Sequence, residues 1–364
     1  MNRQPKKSIK LALQGGGAHG AFTWGVLDQL LEDERLQIVA ISGTSAGAMN
    51  AVALADGMAA GGPAEARKRL ESFWSATSAA ARYSPIQRSP IDMMMGNWSL
   101  DYSPGLMFME YVSQHFSPYD FNPFDFNPLR DVVAGCIDFE RVNDPSGIRV
   151  FLTATNVRTG RPKIFREPDI TLDCVMASAC LPFLFKAVEI DGEAYWDGGY
   201  MGNPALFPLV DECEAGDVVL IQINPFHRPE VPRSAVDIRN RLNEITFNAS
   251  LFKELRSLAF LWEIIHHENL ERERYRDIHV HAIHDAATML ALRVSSKLNA
   301  EWAFLTYLRD QGREAARDWL SQHYDDLGKR NTVDLSWVFS ESLRPAHLEE
   351  GAERNYPIGV AAAQ

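Results

Sequence analysis

The sequence predicts an α/β fold of three layers, α/β/α, with a mostly parallel central sheet and a helix-rich C-terminal region. Three observations carry that prediction. Short apolar runs of strand length recur at residues 8–14, 37–42, 148–155 and 217–223. The first two each end in a glycine-rich turn and pass straight into a helical pattern, and repeated βα units imply parallel strands covered by helices. After Pro225 the pattern changes to long amphipathic helix.

Residues 8–14 alternate through Ile9, Leu11 and Leu13 before Gly15, Gly16 and Gly17, as a buried strand does when it closes on a tight loop. Ala18 to Glu32 then places Phe22, Val26, Leu27, Leu30 and Leu31 at helical spacing. Residues 37–42 form a second strand, Gly43 to Gly47 a turn, and Ala48 to Ala60 a helix whose small residues suit close packing on a sheet.

Residues 83–130 break the rhythm. Pro85, Pro90, Pro104, Pro118, Pro123 and Pro128 limit helices there to short pieces, and Met93, Met94, Met95, Trp98, Met107, Phe108 and Met109 supply an adaptable apolar surface. Two readings stand side by side: an irregular insertion packed on its own core, and a cap or lid that binds acyl chains.

Strand signals return at 148–155, at 163–165, at 187–190 ahead of an Asp191-Gly192 turn, and at 217–223, with a short helix over Leu172–Cys180. The sheet is therefore expected to reach about residue 224. Beyond Pro225, Ile238, Leu242, Ile245, Phe252, Leu255, Leu258, Trp262 and Ile265 mark a long helix; 278–283 reads as one more strand and 299–323 as another helix.

A net charge of −12 speaks against nucleic acid as a partner, because phosphate binding needs clustered Lys and Arg. It also speaks against permanent docking on anionic lipid and leaves only transient contact with a membrane or lipid surface. Lys6, Lys7 and Lys10 imitate the start of a signal peptide, but Gln14, the three glycines and His19 interrupt the apolar stretch that should follow. Cys136, Cys174, Cys180 and Cys213 form no CxxC pair and read as reduced thiols, which points to the cytoplasm.

Gly43-Thr44-Ser45-Ala46-Gly47 is a GxSxG pentapeptide. By composition one arises in on the order of one chain in ten of this length. Its context adds weight, since it lies between a strand and a helix as a nucleophile elbow does. Gly15-Gly16-Gly17-Ala18-His19-Gly20 has two readings. As GxGxxG it matches a dinucleotide fingerprint, but the acidic residue that reading needs at the end of the second strand is replaced by Ser42-Gly43-Thr44-Ser45. As an oxyanion loop, it aims backbone N–H groups at the charge of a tetrahedral intermediate beside Ser45.

Together with Asp197-Gly198-Gly199, about 150 residues after the serine, these motifs stand in an order that resembles the patatin-like phospholipase family over residues 8–211. The resemblance implies a lipid acyl hydrolase without cofactor or metal, acting on lipid or other acyl-ester substrates. It also implies a Ser–Asp dyad of Ser45 and Asp197, and an oxyanion hole formed by the amides of Gly15, Gly16, Gly17 and Ala46. Gly20, Gly43, Gly47, Gly198 and Gly199 are its remaining motif glycines. On this reading residues 8–211 are the catalytic domain, with 83–130 inserted, and residues 212–364 pack on the same domain. Tyr195 and Trp196 are candidates to shield Asp197 from water. One departure is His19, where many members carry Arg or Lys; a histidine assures less positive charge for a phosphate headgroup.

Two alternatives stand beside this reading. A Ser-His-Asp α/β-hydrolase needs a late histidine, for which His227, His279, His281 and His284 are available. A non-catalytic dinucleotide-binding module leaves the elbow unexplained. His279, His281 and His284 make a poor metal cluster, because only the first two share a strand face. His266 and His267 read as surface or packing residues.

Overall fold

In the computed structural model, which describes residues 5–267 and 278–335, eight strands form one sheet. The chain opens with β1 (Lys7–Leu13), α1 (Gly20–Glu32), β2 (Leu36–Gly43), α2 (Ala46–Gly61) and α3 (Pro63–Ala81). The inserted segment holds α4 (Pro90–Met94), α5 (Pro104–His115), α6 (Pro118–Phe121) and the start of α7 (Pro128–Cys136), and α8 (Phe139–Val142) comes after it. Four of its prolines begin helices instead of breaking them, since Pro90, Pro104, Pro118 and Pro128 each occupy the first turn, where no N–H is needed.

β3 (Arg149–Asn156), β4 (Pro162–Arg166), α9 (Leu172–Ser178), β5 (Val188–Ile190), β6 (Glu193–Asp197), α10 (Phe207–Asp211) and β7 (Asp217–Ile221) follow. The chain then runs through α11 (Ala235–His267), β8 (His279–Ile283), α12 (Ala286–Ala291) and α13 (Trp302–His323). Spatial order is β5-β6-β3-β2-β1-β7-β8, with β4 on the other side of β3. The five strands from β3 to β8 in that order are parallel; β4, β5 and β6 add antiparallel pairs.

Both faces are covered, as runs such as Asp217–Ile221 require: Val219 and Ile221 enter one core, Val218 and Leu220 the other. The first core takes Phe22, Val52, Phe73 and Phe304 from α1, α2, α3 and α13. The second takes Leu209 from α10 and Leu251 and Leu255 from α11. The three-layer α/β/α expectation holds, and the helix-rich C-terminal region lies on both faces. The long helix marked by Ile238 to Ile265 is present as α11, which starts after the prolines at 225, 229 and 232, and the strand expected at 278–283 is present as β8. Two expectations change. The sheet runs past residue 224 to Ile283, because β8 pairs in parallel with β7. Glu193–Asp197 is a strand in its own right.

The side chains of Trp262, Ile265, His266 and His267 lie outside the described residues. No helix among the described residues is long and apolar enough to cross a membrane, and none of the four cysteines forms a disulfide among the described residues.

Candidate active site

β1 and β2 run parallel with Leu13 opposite Gly43, so their glycine loops leave the same sheet edge side by side. They touch: a Cβ at Gly15 would come within 2.7 Å of both Ser45 Cβ and the Thr44 carbonyl oxygen. Gly20, Gly43, Gly47, Gly198 and Gly199 crowd the same turns, each with another atom nearer than 3.0 Å to where a Cβ would sit.

Ser45 caps α2 with φ 55 and ψ −121, a conformation that costs a non-glycine residue of order 1–3 kcal/mol. The surroundings hold it there. Its N–H donates to Ser178 Oγ at 2.9 Å, Thr44 Oγ1 donates to the Gly202 carbonyl at 2.7 Å, and Ser42 Oγ donates to the Ala205 carbonyl at 2.6 Å. The two side-chain bonds lash the elbow to the loop that follows Asp197.

Sheet topology delivers the carboxylate. β2 ends with Gly43 opposite Leu152 of β3, and β4 occupies the far side of β3 over Phe151–Thr155. β6 therefore enters on the β2 side, beyond the end of β2, with Asp197 opposite Ala154. Asp197 is 1% exposed. Its N–H donates to the Cys180 carbonyl at 2.8 Å, its carbonyl accepts from Thr155 Oγ1 at 2.8 Å, and its Oδ1 accepts from Gly199 N–H at 2.7 Å.

Burial pushes the Asp197 carboxyl up to about 6, against the opposing pull of the Gly199 amide, the nearby Ser45 hydroxyl and the Lys297 ammonium. Oδ2 makes no well-formed hydrogen bond among the described residues. The Ser45 hydroxyl is thus near enough to act on the carboxylate electrostatically without the alignment of a full hydrogen bond. Tyr195 packs edge-on against Phe165 at 5.3 Å. It is the Phe247 ring of α11 that presses on the Asp197 turn, 2.3 Å from where a Gly199 Cβ would be.

The glycine loop is held from below. Gln14 Oε1 accepts from the amides of Ile223 and Asn224, both at 2.9 Å, and Asn224 Nδ2 donates to the Gly15 carbonyl at 2.7 Å. Gly15 N–H donates to Asn203 Oδ1 at 2.6 Å, which corrects its expected place in an oxyanion hole: that amide is already engaged. The amides of Gly16, Gly17 and Ala46 have no acceptor among the described residues. Gly17 has φ +58 and lies against the Lys297 carbonyl, where any side chain would collide.

His19 is buried, with Nε2 2.7 Å from Ser296 Oγ. Desolvation, with Lys297 and Arg228 nearby, holds its ring down to about 3, so it is neutral at physiological pH. Two of the other candidate histidines turn to the opposite end of the parallel strands: His281 Nε2 sits 2.9 Å and His279 Nδ1 3.7 Å from Asp217 Oδ1, at the start of β7. His227 is exposed. No group of three His, Cys, Asp or Glu among the described residues is arranged to hold a metal ion. Sequence motifs missed Ser178, Asn203, Asn224, Phe247 and Lys297, each a lone residue brought in by tertiary structure.

A serine elbow with a glycine loop beside it, at the carboxyl edge of a mostly parallel three-layer sheet, defines an α/β protein of the serine-elbow hydrolase class. Within that class the chain belongs to the patatin-like phospholipase family, a family of lipid hydrolases, whose pattern matches residues 11–210. Its backbone is similar to that of VipD from Legionella pneumophila, with TM-score 0.42 and 14% identity over 88% of this chain and 67% of that one. It is also similar to the type III effector ExoU, with TM-score 0.32 and 14% identity over 87% of this chain and 54% of that one; ExoU has been solved with SpcU from the secretion system of Pseudomonas aeruginosa. This chain thus spans about half the length of ExoU. No curated protein matches it.

Proposed function

We propose that the protein hydrolyses carboxylic esters of lipids through an acyl-enzyme on Ser45, with Asp197 as general base. The observation that carries this reading is the strained Ser45 elbow within electrostatic reach of a buried Asp197 whose proton affinity is raised. A carboxylate titrating near 6 is ionised at neutral pH yet roughly a hundredfold more basic than an ordinary one, which suits proton abstraction from a serine. Ser45 Oγ attacks the ester carbonyl carbon while its proton passes to Asp197. The carbonyl electrons move onto oxygen, held by the amides of Gly16, Gly17 and Ala46 at the positive end of α2. Collapse expels the alcohol, which takes the proton from Asp197, and water or a second alcohol then releases the acyl group by the reverse route.

Residues 212–335 belong on this reading to the catalytic unit begun at residue 8, because β7 and β8 continue its sheet. The inserted segment is its lipid-facing cap. Tyr83, Met94, Phe108, Phe124 and Phe126 are all exposed there, which favours contact with an apolar surface over a self-contained core. The natural setting is a cytoplasmic protein that visits lipid surfaces.

The test is hydrolysis of short and long p-nitrophenyl acyl esters by the wild type, Ser45→Ala and Asp197→Asn, with circular dichroism to confirm folding. Both variants should lose at least about a thousandfold in kcat, as removal of a nucleophile or its base does. Wild-type turnover in either folded variant would refute the dyad.

A further inference from the structure

We propose that Lys297 is a positioning residue of this site, acting through Asn224 and the Gly15–Gly16 peptide to orient and polarise the Gly16 N–H toward the oxyanion. The inference rests on the reading above, in which Gly16 is an oxyanion donor. Lys297 Nζ donates to Asn224 Oδ1 at 2.8 Å. An ammonium only donates and a carbonyl only accepts, so the Asn224 amide is locked with Nδ2 toward the Gly15 carbonyl, to which it donates at 2.7 Å. That carbonyl and the Gly16 N–H belong to one peptide unit. Drawing electron density toward the carbonyl makes the N–H a stronger donor, as in any hydrogen-bond chain at low dielectric.

The same lysine braces the loop mechanically. Its backbone carbonyl lies against Gly17, and its ammonium sits 5.9 Å from the centre of the Phe247 ring that packs on Gly199. The residue as a whole keeps some solvent contact, but its ammonium end is enclosed. His19, Asn224, Arg228, Glu244 and Lys297 border a cavity of about 10 Å³, room for one water. Lys297 lies well outside residues 11–210, so it is the C-terminal region that brings this charge to the site.

The charged groups facing the ammonium are Glu244, Asp197 and Arg228, with neutral His19 beside it. Burial lowers Lys297 to about 8, with Glu244 and Asp197 opposing and Arg228 reinforcing the drop. The ammonium is therefore present at neutral pH and lost as pH rises through about 8. Wild-type kcat should fall over that range.

The experiment compares wild type, Ser45→Ala, Lys297→Met, Asn224→Leu and the Lys297→Met/Asn224→Leu double variant on p-nitrophenyl butyrate. Phenylboronic acid serves as a probe of the tetrahedral state. Lys297→Met should lower kcat about ten- to a hundredfold, less than the hundred- to thousandfold for outright loss of an oxyanion donor. KM should stay within about twofold, phenylboronate inhibition should weaken by the same factor as kcat, and the alkaline fall should vanish. The double variant should lose no more than either single one, since both break one chain. Ser45→Ala with wild-type activity would sink the catalytic reading itself. An inactive Ser45→Ala beside a Lys297→Met of wild-type kcat, or losses that multiply in the double variant, would overturn only the role of Lys297. If Lys297→Met does not fold, the wild-type profile decides: a fall near pH 8 sustains the proposal and a flat kcat from pH 7 to 9.5 overturns it.

Discussion

Asp197 is kept at its post against the preference of the fold. A buried carboxyl whose proton affinity is raised, here to about 6, stabilises the folded state while protonated. That contribution is complete below the ordinary value of 3.8 and disappears as pH rises through about 6. Ionised Asp197 is thus a local cost at neutral pH, of order 3 kcal/mol at the usual 1.4 kcal/mol for each tenfold change in proton affinity. Asp197→Asn never bears that cost and keeps an oxygen for the Gly199 amide. It should melt at higher temperature than the wild type at pH 8, with the gap narrowing by pH 4.5 and closing only below the ordinary value of 3.8; equal melting curves at pH 8 and pH 4.5 would show that the ionised carboxylate is not penalised. Activity should show the complementary sign, with kcat/KM falling below about pH 6 as the base is protonated. Ser45 and Asp197 are legible in the sequence because each sits in a local glycine motif that a tight turn demands. Asn203 and Asn224 carry no such mark: their amides matter only once folding has carried them to Gly15.

Two elements set the geometry, and they differ in how far the sequence announces them. β6 has five residues, with only Ala194, Tyr195 and Trp196 between its acidic ends. It is a strand because Asp191 and Gly192, with φ 54 and 78, make the tight turn that folds it back onto β5. The turn was visible in the sequence; that the returning strand would pass the end of β2 was not, because pairing is non-local. α3 was readable in principle, since Ala66, Leu70, Phe73 and Trp74 are buried at helical spacing among charged residues. The other decisive contact joins α13, just downstream of Lys297, to α1, just downstream of the glycine loop. A Cβ at Gly312 would lie 2.1 Å from the Phe22 carbonyl oxygen, and one at Gly25 1.9 Å from the Arg309 carbonyl oxygen. Backbones this close admit no side chain on either helix. Gly312→Val should cost about 1–3 kcal/mol in a urea titration and lower kcat by displacing the segment that bears Lys297. Gly135→Ala, in α7 where a Cβ meets nothing, should be neutral or slightly stabilising. Equal stability of the two variants would mean that the α1–α13 contact yields more easily than its geometry indicates.

At the scale of the whole molecule, an acidic chain with a net charge of −12 carries an apolar, Met- and Phe-rich insertion beside its site. Three basic groups at the insertion are already engaged: Arg88 with Glu301, Arg130 with Asp173, and Lys186 with the Pro123 carbonyl. An anionic lipid surface would meet repulsion from such a protein and little to offset it, whereas a zwitterionic or neutral surface would meet exposed rings alone. The loop bearing Phe124 (94% exposed) and Phe126 (71% exposed) is shaped by Asn122, which brackets the Phe126 backbone with two hydrogen bonds. It is tied toward the site through the Ala187 N–H, which donates to the Tyr119 hydroxyl at 3.3 Å. Because neither ring supports that loop, Phe124→Ser/Phe126→Ser should leave turnover of soluble p-nitrophenyl butyrate unchanged. Partial insertion of two phenyl rings is worth at least about 1.5 kcal/mol, so cosedimentation with phosphatidylcholine vesicles should weaken about tenfold or more. Wild-type binding should persist in 0.5 M NaCl and should not be enhanced by phosphatidylglycerol. Salt-sensitive binding that prefers phosphatidylglycerol would instead place the lipid contact on a basic surface elsewhere on the molecule, and the insertion would then be structure rather than cap.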